Sequence, residues 1–209
     1  MRALFFAFEG SDASGKTTQA ARFATSIGAL FTREPGDTPA GRRIRSLLLD
    51  HSPEGASLDA RTEALLMAAD RAQHVAELIE PTLATGRHVV TDRYLASSVA
   101  YQGYARGLVP NEVRDLSLWA THGRVPDLTV LLRVPVDVVL QRMAAAGERD
   151  RLESEGANFF ERVIAGFDEQ AAAESQSWLV VDGVGSIDDV ATRVWMGVTA
   201  RFPEVSADR

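Results

Sequence analysis

The chain has 209 residues, of which 45% are hydrophobic and 24% charged, a composition typical of a soluble α/β domain with a sizeable core. Its net charge of −7 argues against a duplex nucleic acid as partner, because a phosphate backbone requires a basic surface. The absence of cysteine excludes disulfides, thiol nucleophiles and cysteine-based metal sites. The first apolar run is too short for a signal peptide or a membrane span, so a cytoplasmic protein without a membrane partner is expected.

Apolar runs typical of buried parallel strands alternate with helical patterns along the chain. The apolar runs cover residues 3–8, 29–33, 87–91, 127–133 and 178–182. The helical patterns lie near residues 16–27, 38–49, 58–84, 94–102, 110–122, 136–146, 157–175 and 186–200. This alternation predicts an α/β fold in which a parallel sheet is covered by helices on both faces. No linker or repeat interrupts it, so a single domain over residues 1–209 is expected.

The turn after the first apolar run fits the phosphate-binding pattern G-x-x-x-x-G-K-[ST]. Gly10 and Gly15 let the backbone turn tightly, and the following helix adds its positive N-terminal end. Lys16 is the only lysine among 22 basic residues, and it would place a compact cation between the β- and γ-phosphates. The hydroxyl of Thr17 can ligate Mg²⁺. The predicted ATP-binding residues are Gly10, Ser11, Asp12, Ala13, Ser14, Gly15, Lys16, Thr17 and Thr18.

A phosphate-binding loop alone does not distinguish kinases from GTPases and motor ATPases. The guanine-recognition signature N-K-x-D needs a second lysine, which this chain lacks. A motor or oligomeric ATPase would usually need a longer chain. These two observations favour a kinase.

Charged residues follow two of the predicted strands. Asp92 and Arg93 come after the third apolar run, and Arg33 and Glu34 end the second. Open parallel sheets bind ligands at this carboxyl edge. Asp92 could hold Mg²⁺ through water and Arg93 could grip a phosphate by a bidentate contact, although a strand-end salt bridge is the commoner role for such a pair. Arg33 and Arg45 are either further anion contacts or surface charges.

The long helical pattern after residue 58 carries two stripes. One stripe is apolar and predicts the side that packs on the core; its members are Leu65, Ala69, Ala72, Ala76, Ile79 and Leu83. The other stripe contains Glu63, Met67, Arg71 and His74, and it is either a solvated face or the wall of a ligand cleft.

A charge-dense loop, Gly-Glu-Arg-Asp-Arg-Leu-Glu at residues 147–153, separates two helical patterns. It is either an exposed linker or a lid, at about residues 146–154, that closes over ATP. As a lid it would exclude water and bring Arg149 and Arg151 to the transferring phosphoryl group, where they would neutralise charge in the transition state.

Taken together, these segments resemble the bacterial type of thymidylate (dTMP) kinase over nearly the whole chain. The matching segments are Phe8-Glu9-Gly10 with the phosphate-binding loop, Thr32-Arg33-Glu34-Pro35-Gly36, Ala69-Asp70-Arg71-Ala72-Gln73-His74, Asp92-Arg93-Tyr94, Ser97-Ser98-Val99-Ala100-Tyr101-Gln102-Gly103 and Pro126-Asp127-Leu128-Thr129. The resemblance implies a nucleoside monophosphate kinase fold with five parallel strands and a short lid. It also implies Mg²⁺-dependent transfer of a phosphoryl group from ATP to dTMP, in dTTP biosynthesis, by a homodimer.

The resemblance further implies roles for individual residues. The implied catalytic residues are Lys16, Arg93, Arg149, Arg151 and Asp12, and the implied metal ligands are Thr17 and Asp92. The implied substrate-binding residues are Arg33, Glu34, Pro35, Arg45, Met67, Arg71, Arg93, Ser98, Tyr101 and Gln102. Within that set, the arginines 33, 45 and 93 would hold the acceptor phosphate, Arg71 the thymine edge, and Tyr101 the sugar, where it would disfavour a 2′-hydroxyl.

Several positions depart from the usual pattern of the family. Ala13 stands where some members carry the catalytic arginine in the phosphate-binding loop, so the lid type is indicated, with Arg151 the closer match. Met67 stands where an aromatic residue commonly stacks on thymine, Asp37 replaces a glycine, Arg42 a glutamate and Arg133 an aspartate. Two alternatives stay open: a kinase for another monophosphate or for a deoxynucleoside, and a non-catalytic ATP-binding regulatory subunit.

Overall fold

The computed structural model describes residues 2–50, 58–146 and 155–206. Within these ranges the strands are β1 (Phe5–Glu9), β2 (Leu30–Arg33), β3 (Val89–Asp92), β4 (Leu128–Arg133) and β5 (Trp178–Asp182). They form one parallel sheet in the order β2-β3-β1-β4-β5. Each strand overlaps one of the predicted apolar runs, and the central strand β1 is buried along its whole length, so the predicted parallel sheet is confirmed.

Helices connect the strands in the described ranges. They are α1 (Lys16–Ser26), α2 (Pro39–Leu49), α3 (Ala60–His74), α4 (Glu80–Ala84), α5 (Leu95–Ser98), α6 (Pro110–Ala120), α7 (Val136–Ala146), α8 (Ala157–Ala173) and α9 (Ile187–Arg201). Two predicted helices are interrupted by π-helical turns. Val75–Ile79 joins α3 to α4, and Val99–Ala105 continues α5. Such π-helical turns often occur at functional sites, and both follow segments that line the cavity described below.

The core lies on both faces of the sheet. Phe6 and Phe8 of β1 pack with α1 and α9, whereas Phe5 and Ala7 face the opposite side and pack with Val75 after α3. On that second side α8 covers β4 and β5. Because successive side chains of a strand point to opposite faces, this central strand needs helices on both sides. The predicted two-sided helical covering is confirmed.

The predicted core stripe of the long helical pattern is wrong over α3, although its later members Ile79 and Leu83 do pack in the core. Leu65 is 58% exposed and Ala69 is also exposed, as is Ala76 in the π-helical turn that follows α3. The buried side of this helix instead carries Glu63, Asp70, Arg71 and His74 beside two small alanines. The physical reason is that this side covers a polar cavity at the sheet edge rather than an apolar core. Hydrophobic periodicity identifies the apolar stripe of a helix but does not tell whether that stripe faces inwards.

Three neighbouring strands end together at the carboxyl edge of the sheet. The register pairs Arg33 of β2 with Asp92 of β3, and Asp92 with Phe8 of β1. The phosphate-binding loop, the Glu34–Pro35 turn and Arg93 therefore start within one small region. No helix in the described ranges is long and apolar enough to cross a membrane.

Candidate active site

The loop between β1 and α1 has the backbone of a phosphate cradle. Gly10, Ala13 and Gly15 have positive φ angles of 144°, 56° and 89°. A Cβ on Gly10 would lie 2.7 Å from the carbonyl oxygen of Leu132, so the close approach of the two strands requires glycine there. Helix α1 begins at Lys16 without a side-chain cap. Its first-turn N–H groups are therefore available to an anionic ligand.

Lys16, Asp12 and Arg93 form a charged cluster beside this loop. Lys16 Nζ lies 3.7 Å from Asp12 Oδ1 and donates to the carbonyl oxygen of Ser11 at 3.3 Å. Arg93 Nη2 donates to Asp12 Oδ1, and Tyr101 Oη donates to Asp12 Oδ2 at 2.7 Å. Arg93 Nη1 donates to Ser97 Oγ at 2.9 Å and to the carbonyl oxygen of Gly10 at 3.2 Å. These contacts fix the Nη1 and Nη2 groups of the Arg93 guanidinium before any ligand binds.

The charges in this cluster strongly perturb one another. Burial would raise the pKa of Asp12, but the positive charges of Arg93 and Lys16 outweigh burial and lower it to about 2. Burial lowers the pKa of Lys16, and the like charge of Arg93 lowers it further. An anionic phosphate beside Lys16 would offset both effects. The positive charges of Lys16 and Arg93 therefore suit an anionic ligand beside the loop.

Thr17 and Asp92 form a pair suited to a hard cation. The Thr17 hydroxyl donates to Asp92 Oδ2, and Asp92 Oδ1 is buried without a hydrogen-bond partner in the described part of the chain. A buried carboxylate oxygen left unpaired is unfavourable unless a cation or an ordered water satisfies it. Hydroxyl and carboxylate oxygens are the protein ligands that Mg²⁺ uses beside phosphate oxygens. The two residues fit the predicted metal site.

A cavity of about 240 Å³ extends from this loop across the sheet edge, and we call it the edge cavity. It is lined by Asp12, Ala13, Lys16, Thr17, Arg33, Glu34, Pro35, Arg45, Leu49, Met67, Arg71, Asp92, Arg93, Tyr94, Ser97, Ser98, Tyr101 and Gln102. The structure thus brings all ten predicted substrate-binding residues into one cavity, beside the predicted metal ligands. Thr18 lies exposed on α1 outside it.

Arg71 is held at one end of the edge cavity by a buried polar network. Its Nε donates to Glu34 Oε2 at 2.8 Å, and Nη2 donates to Ser98 Oγ at 3.0 Å and to the carbonyl oxygen of Tyr94 at 3.2 Å. Nη1 donates to Ser117 Oγ at 2.9 Å. Four of the five guanidinium N–H groups thus have partners in the described part of the chain. One N–H on Nη1 remains for a ligand.

The same network continues towards Arg33. Glu34 Oε1 lies 2.8 Å from His74 Nδ1, and His74 Nε2 lies 2.8 Å from Thr32 Oγ1. Thr32 Oγ1 also donates to Asp37 Oδ2 at 2.8 Å. Asp37 Oδ1 accepts from Arg33 Nε at 3.2 Å. Asp37, which departs from the family pattern, therefore anchors Arg33.

Two groups that support the site were not predicted from the sequence. Glu9 is fully buried and accepts from Ser97 Oγ at 2.5 Å, and Ser97 in turn holds Arg93. Arg142 of α7 donates to the carbonyl oxygens of Ala13 and Gly183 at 3.1 Å each, joining the phosphate-binding loop to the segment after β5. Glu9 carried a weak signal as part of the matched Phe8-Glu9-Gly10 segment. Arg142 carried none, because its partners are far away in the chain.

Other residues singled out in the sequence lie outside the edge cavity or outside the described residues. Arg149, Arg151 and the lid around them lie outside the described residues, apart from the end of α7. Arg42 is exposed on α2. Arg133 pairs with Asp168 of α8 at 2.9 Å, so that departure from the family pattern serves helix packing.

The parallel sheet, the phosphate cradle and the adjoining arginine-rich cavity define a P-loop phosphotransferase that acts on a small anionic acceptor. A family model for thymidylate kinase matches residues 8–194. The chain is 45% identical over 213 residues to a thymidylate kinase of Bifidobacterium longum strain DJO10A, covering 99% of this chain and 100% of that one. It is 45% identical to a thymidylate kinase of Cutibacterium acnes, covering 95% and 98%, and 46% identical to one of Leifsonia xyli, covering 91% and 92%. The chain belongs to the thymidylate kinase family.

Proposed function

We propose that this chain transfers the γ-phosphoryl group of Mg²⁺-bound ATP to dTMP, giving ADP and dTDP for dTTP synthesis in the cytoplasm. The observation that carries the proposal is the edge cavity, which runs from the phosphate-binding loop to a buried polar end at Arg71 and Gln102. A phosphate donor at one end and a pyrimidine at the other would place the two reacting phosphates between them.

The donor end is supplied by Lys16 and the loop backbone. Lys16 would contact the β- and γ-phosphates, while the first-turn N–H groups of α1 would bind the phosphate oxygens. Thr17 and Asp92 would hold Mg²⁺, Asp92 directly or through water. The cation would neutralise charge on the phosphate oxygens.

The acceptor end is organised around Arg93. Its Nε has no partner among the described residues, so it remains to bind the dTMP phosphate, which would also compete with Asp12 for Nη2. Arg33 and Arg45 line the same part of the cavity. A phosphate oxygen of dTMP would attack the γ-phosphorus in line, and no covalent enzyme intermediate is needed because positioning and charge neutralisation carry the catalysis. We expect Arg149 and Arg151 of the lid to join this neutralisation.

The base end would hold thymine between several groups. The remaining Nη1 hydrogen of Arg71 would donate to a thymine carbonyl oxygen, and Met67 would pack on the ring as a polarisable substitute for an aromatic side chain. Ser98 and Gln102 would line the rest of the pocket, and Tyr101 would lie against the sugar. A neutral nucleoside would leave the three arginines of the phosphate end without their anion, so a monophosphate is the favoured acceptor.

We also propose a homodimer formed through the exposed side of α3 and its neighbour α6. These helices pack against each other and present Leu65, 58% exposed, and Trp119, 81% exposed, to solvent. The exposed Ala69 of α3 and Ala76 of the following π-helical turn add small apolar side chains near Leu65 in the chain. Large apolar side chains exposed on two packed helices are candidates for a contact surface between proteins. A second copy of this chain is the occupant that we propose.

The test is a coupled ADP-release assay with Mg²⁺-ATP and a panel of dTMP, dUMP, dCMP, dGMP, AMP and thymidine. Strong turnover of dTMP with weaker turnover of dUMP supports the proposal. Preference for another acceptor would refute the base-pocket assignment, and ATP binding without turnover of any acceptor would identify a regulatory subunit instead.

A further inference from the structure

The amide of Gln102 lies at the base end of the edge cavity in one defined orientation. Gln102 is fully buried, and its Nε2 donates to Glu63 Oε1 at 2.8 Å. Its Oε1 is buried without a hydrogen-bond partner among the described residues. The amide therefore directs its donor end towards Glu63 of α3 and leaves its acceptor end unsatisfied.

Glu63 determines which end of the Gln102 amide, the NH₂ group or the carbonyl oxygen, faces α3. The same Oε1 that faces Gln102 is also approached by the Nε donor of Arg106, at 3.4 Å. An oxygen that accepts from Arg106 is an acceptor for Gln102 as well, so the amide must present its NH₂ group there. Arg106 itself is fixed by Glu155 and by the ring of Phe159, whose centroid lies 4.8 Å from the guanidinium carbon. Glu63 is itself fully buried, away from bulk solvent.

We propose that Glu63 is a specificity-positioning residue, which holds the Gln102 carbonyl towards the N3 position of the pyrimidine. The inference rests on the proposed function, since it concerns the base of the acceptor nucleotide. Thymine and uracil carry a hydrogen on N3 and would donate to the Gln102 carbonyl. Cytosine carries a lone pair on N3, which would face the carbonyl oxygen and leave both acceptors unpaired in a buried site. A site built to bond a donor rejects an analogue that lacks it.

Arg71 contributes to the same selection from another direction. Its remaining Nη1 hydrogen suits a base carbonyl and opposes the exocyclic amino group of cytosine. Loss of the Glu63 contact therefore weakens pyrimidine selection without reversing it. Because uracil shares the N3 hydrogen with thymine, Glu63 has no effect on the choice between these two bases.

The test measures kcat/KM and Kd for dTMP, dUMP and dCMP in the wild type, Glu63→Gln, Gln102→Ala and the double variant. Glutamine at position 63 keeps the shape of glutamate but can also donate a hydrogen bond. The Gln102 amide can then flip and present its carbonyl oxygen to position 63. We expect Glu63→Gln to lower the dTMP-to-dCMP ratio of kcat/KM about tenfold. The dTMP-to-dUMP ratio and the KM for ATP should stay unchanged. Glu77→Gln, an exposed carboxylate just after α3, is the matched control.

If Glu63 acts through Gln102, the effects of the two substitutions on base selection are non-additive. The double variant should then discriminate between dTMP and dCMP no worse than Gln102→Ala alone. A dTMP-to-dCMP ratio within about twofold of the wild type in Glu63→Gln would overturn the inference. So would a Glu63→Gln penalty that persists in the Gln102→Ala background, or an equal loss of selection against dUMP. If the wild type binds dTMP selectively but does not phosphorylate it, the proposed function fails, and the ratio of Kd values still decides the role of Glu63.

Discussion

Replacing Glu9 by glutamine should flatten the dependence of the free energy of unfolding on pH. Burial raises the pKa of the Glu9 carboxyl from 4.5 to about 7, against the opposing effects of Ser97 and Arg93. Between these two values the folded protein binds the proton that the unfolded chain has released. The stabilisation is therefore complete below pH 4.5 and is lost as the pH rises to about 7.

The magnitude follows from the same two values. Each pKa unit corresponds to about 1.4 kcal/mol, so the wild type should lose about 3 kcal/mol through Glu9 across this window. Glutamine reproduces the protonated form, because its carbonyl can accept from the backbone N–H groups of Tyr94 and Ser97, 2.9 and 3.1 Å from Glu9 Oε1 in the structure. Its amide can donate to Ser97 Oγ. The variant should therefore be the more stable protein above neutral pH.

The assay is urea unfolding of the wild type, Glu9→Gln and the exposed control Glu77→Gln at several pH values from about 4.5 to 8. Burial also raises the pKa of Asp70 to about 7, with the charge of Glu34 acting in the same direction, so part of the pH dependence should remain in Glu9→Gln. Parallel curves for Glu9→Gln and the wild type would refute the reasoning, because they would mean that Glu9 ionises alike in the folded and unfolded states.

Five further single substitutions test other parts of the site and the proposed dimer surface. Lys16→Ala and Arg93→Ala should each lower kcat by about a hundredfold or more with an unchanged circular dichroism spectrum, and turnover like that of the wild type would remove the residue from the mechanism. Asp37→Gly should release Arg33 and raise the KM for dTMP by about three- to tenfold with little change in kcat, as initial-rate kinetics would reveal. Arg142→Ala should raise the KM for ATP but not that for dTMP, since it supports the donor loop; equal effects on both would contradict this. Leu65→Glu should convert a dimer into monomers in sedimentation velocity, and an unaltered dimer would exclude the proposed α3 surface.

The strands and the phosphate-binding loop could be predicted because their signals are local. Gly10, Gly15 and Lys16 lie within one turn of chain, and the apolar run at β1 reflects burial on both faces of the sheet. Arg33 and Arg93 of the edge cavity followed from their places at strand ends, since such ends meet at one edge of a parallel sheet. Arg45 and Arg71 lie on α2 and α3, and their place in the site was expected from the family resemblance.

The sequence did not predict features that depend on contacts between distant parts of the chain. The outward face of α3 was misassigned because Leu65 belongs to an apolar stripe that the monomer leaves exposed, while Arg71 and Glu63 are buried in polar contacts. The Glu63–Gln102 pair spans 39 residues and the Arg142 contact with Ala13 spans 129. No local pattern in a single sequence encodes contacts over such distances, since they depend on how helices pack across the sheet.

The chain of hydrogen bonds from Arg33 through Asp37, Thr32, His74 and Glu34 to Arg71 has a consequence for engineering. It ties Arg71, which we propose to contact the nucleobase, to Arg33, which we propose to contact the acceptor phosphate. If that proposal holds, a change of Glu34 or His74 made to admit a new base should also displace Arg33. Libraries intended to broaden the range of nucleotide analogues should therefore randomise both ends together, because beneficial changes at one end will depend on the residue chosen at the other.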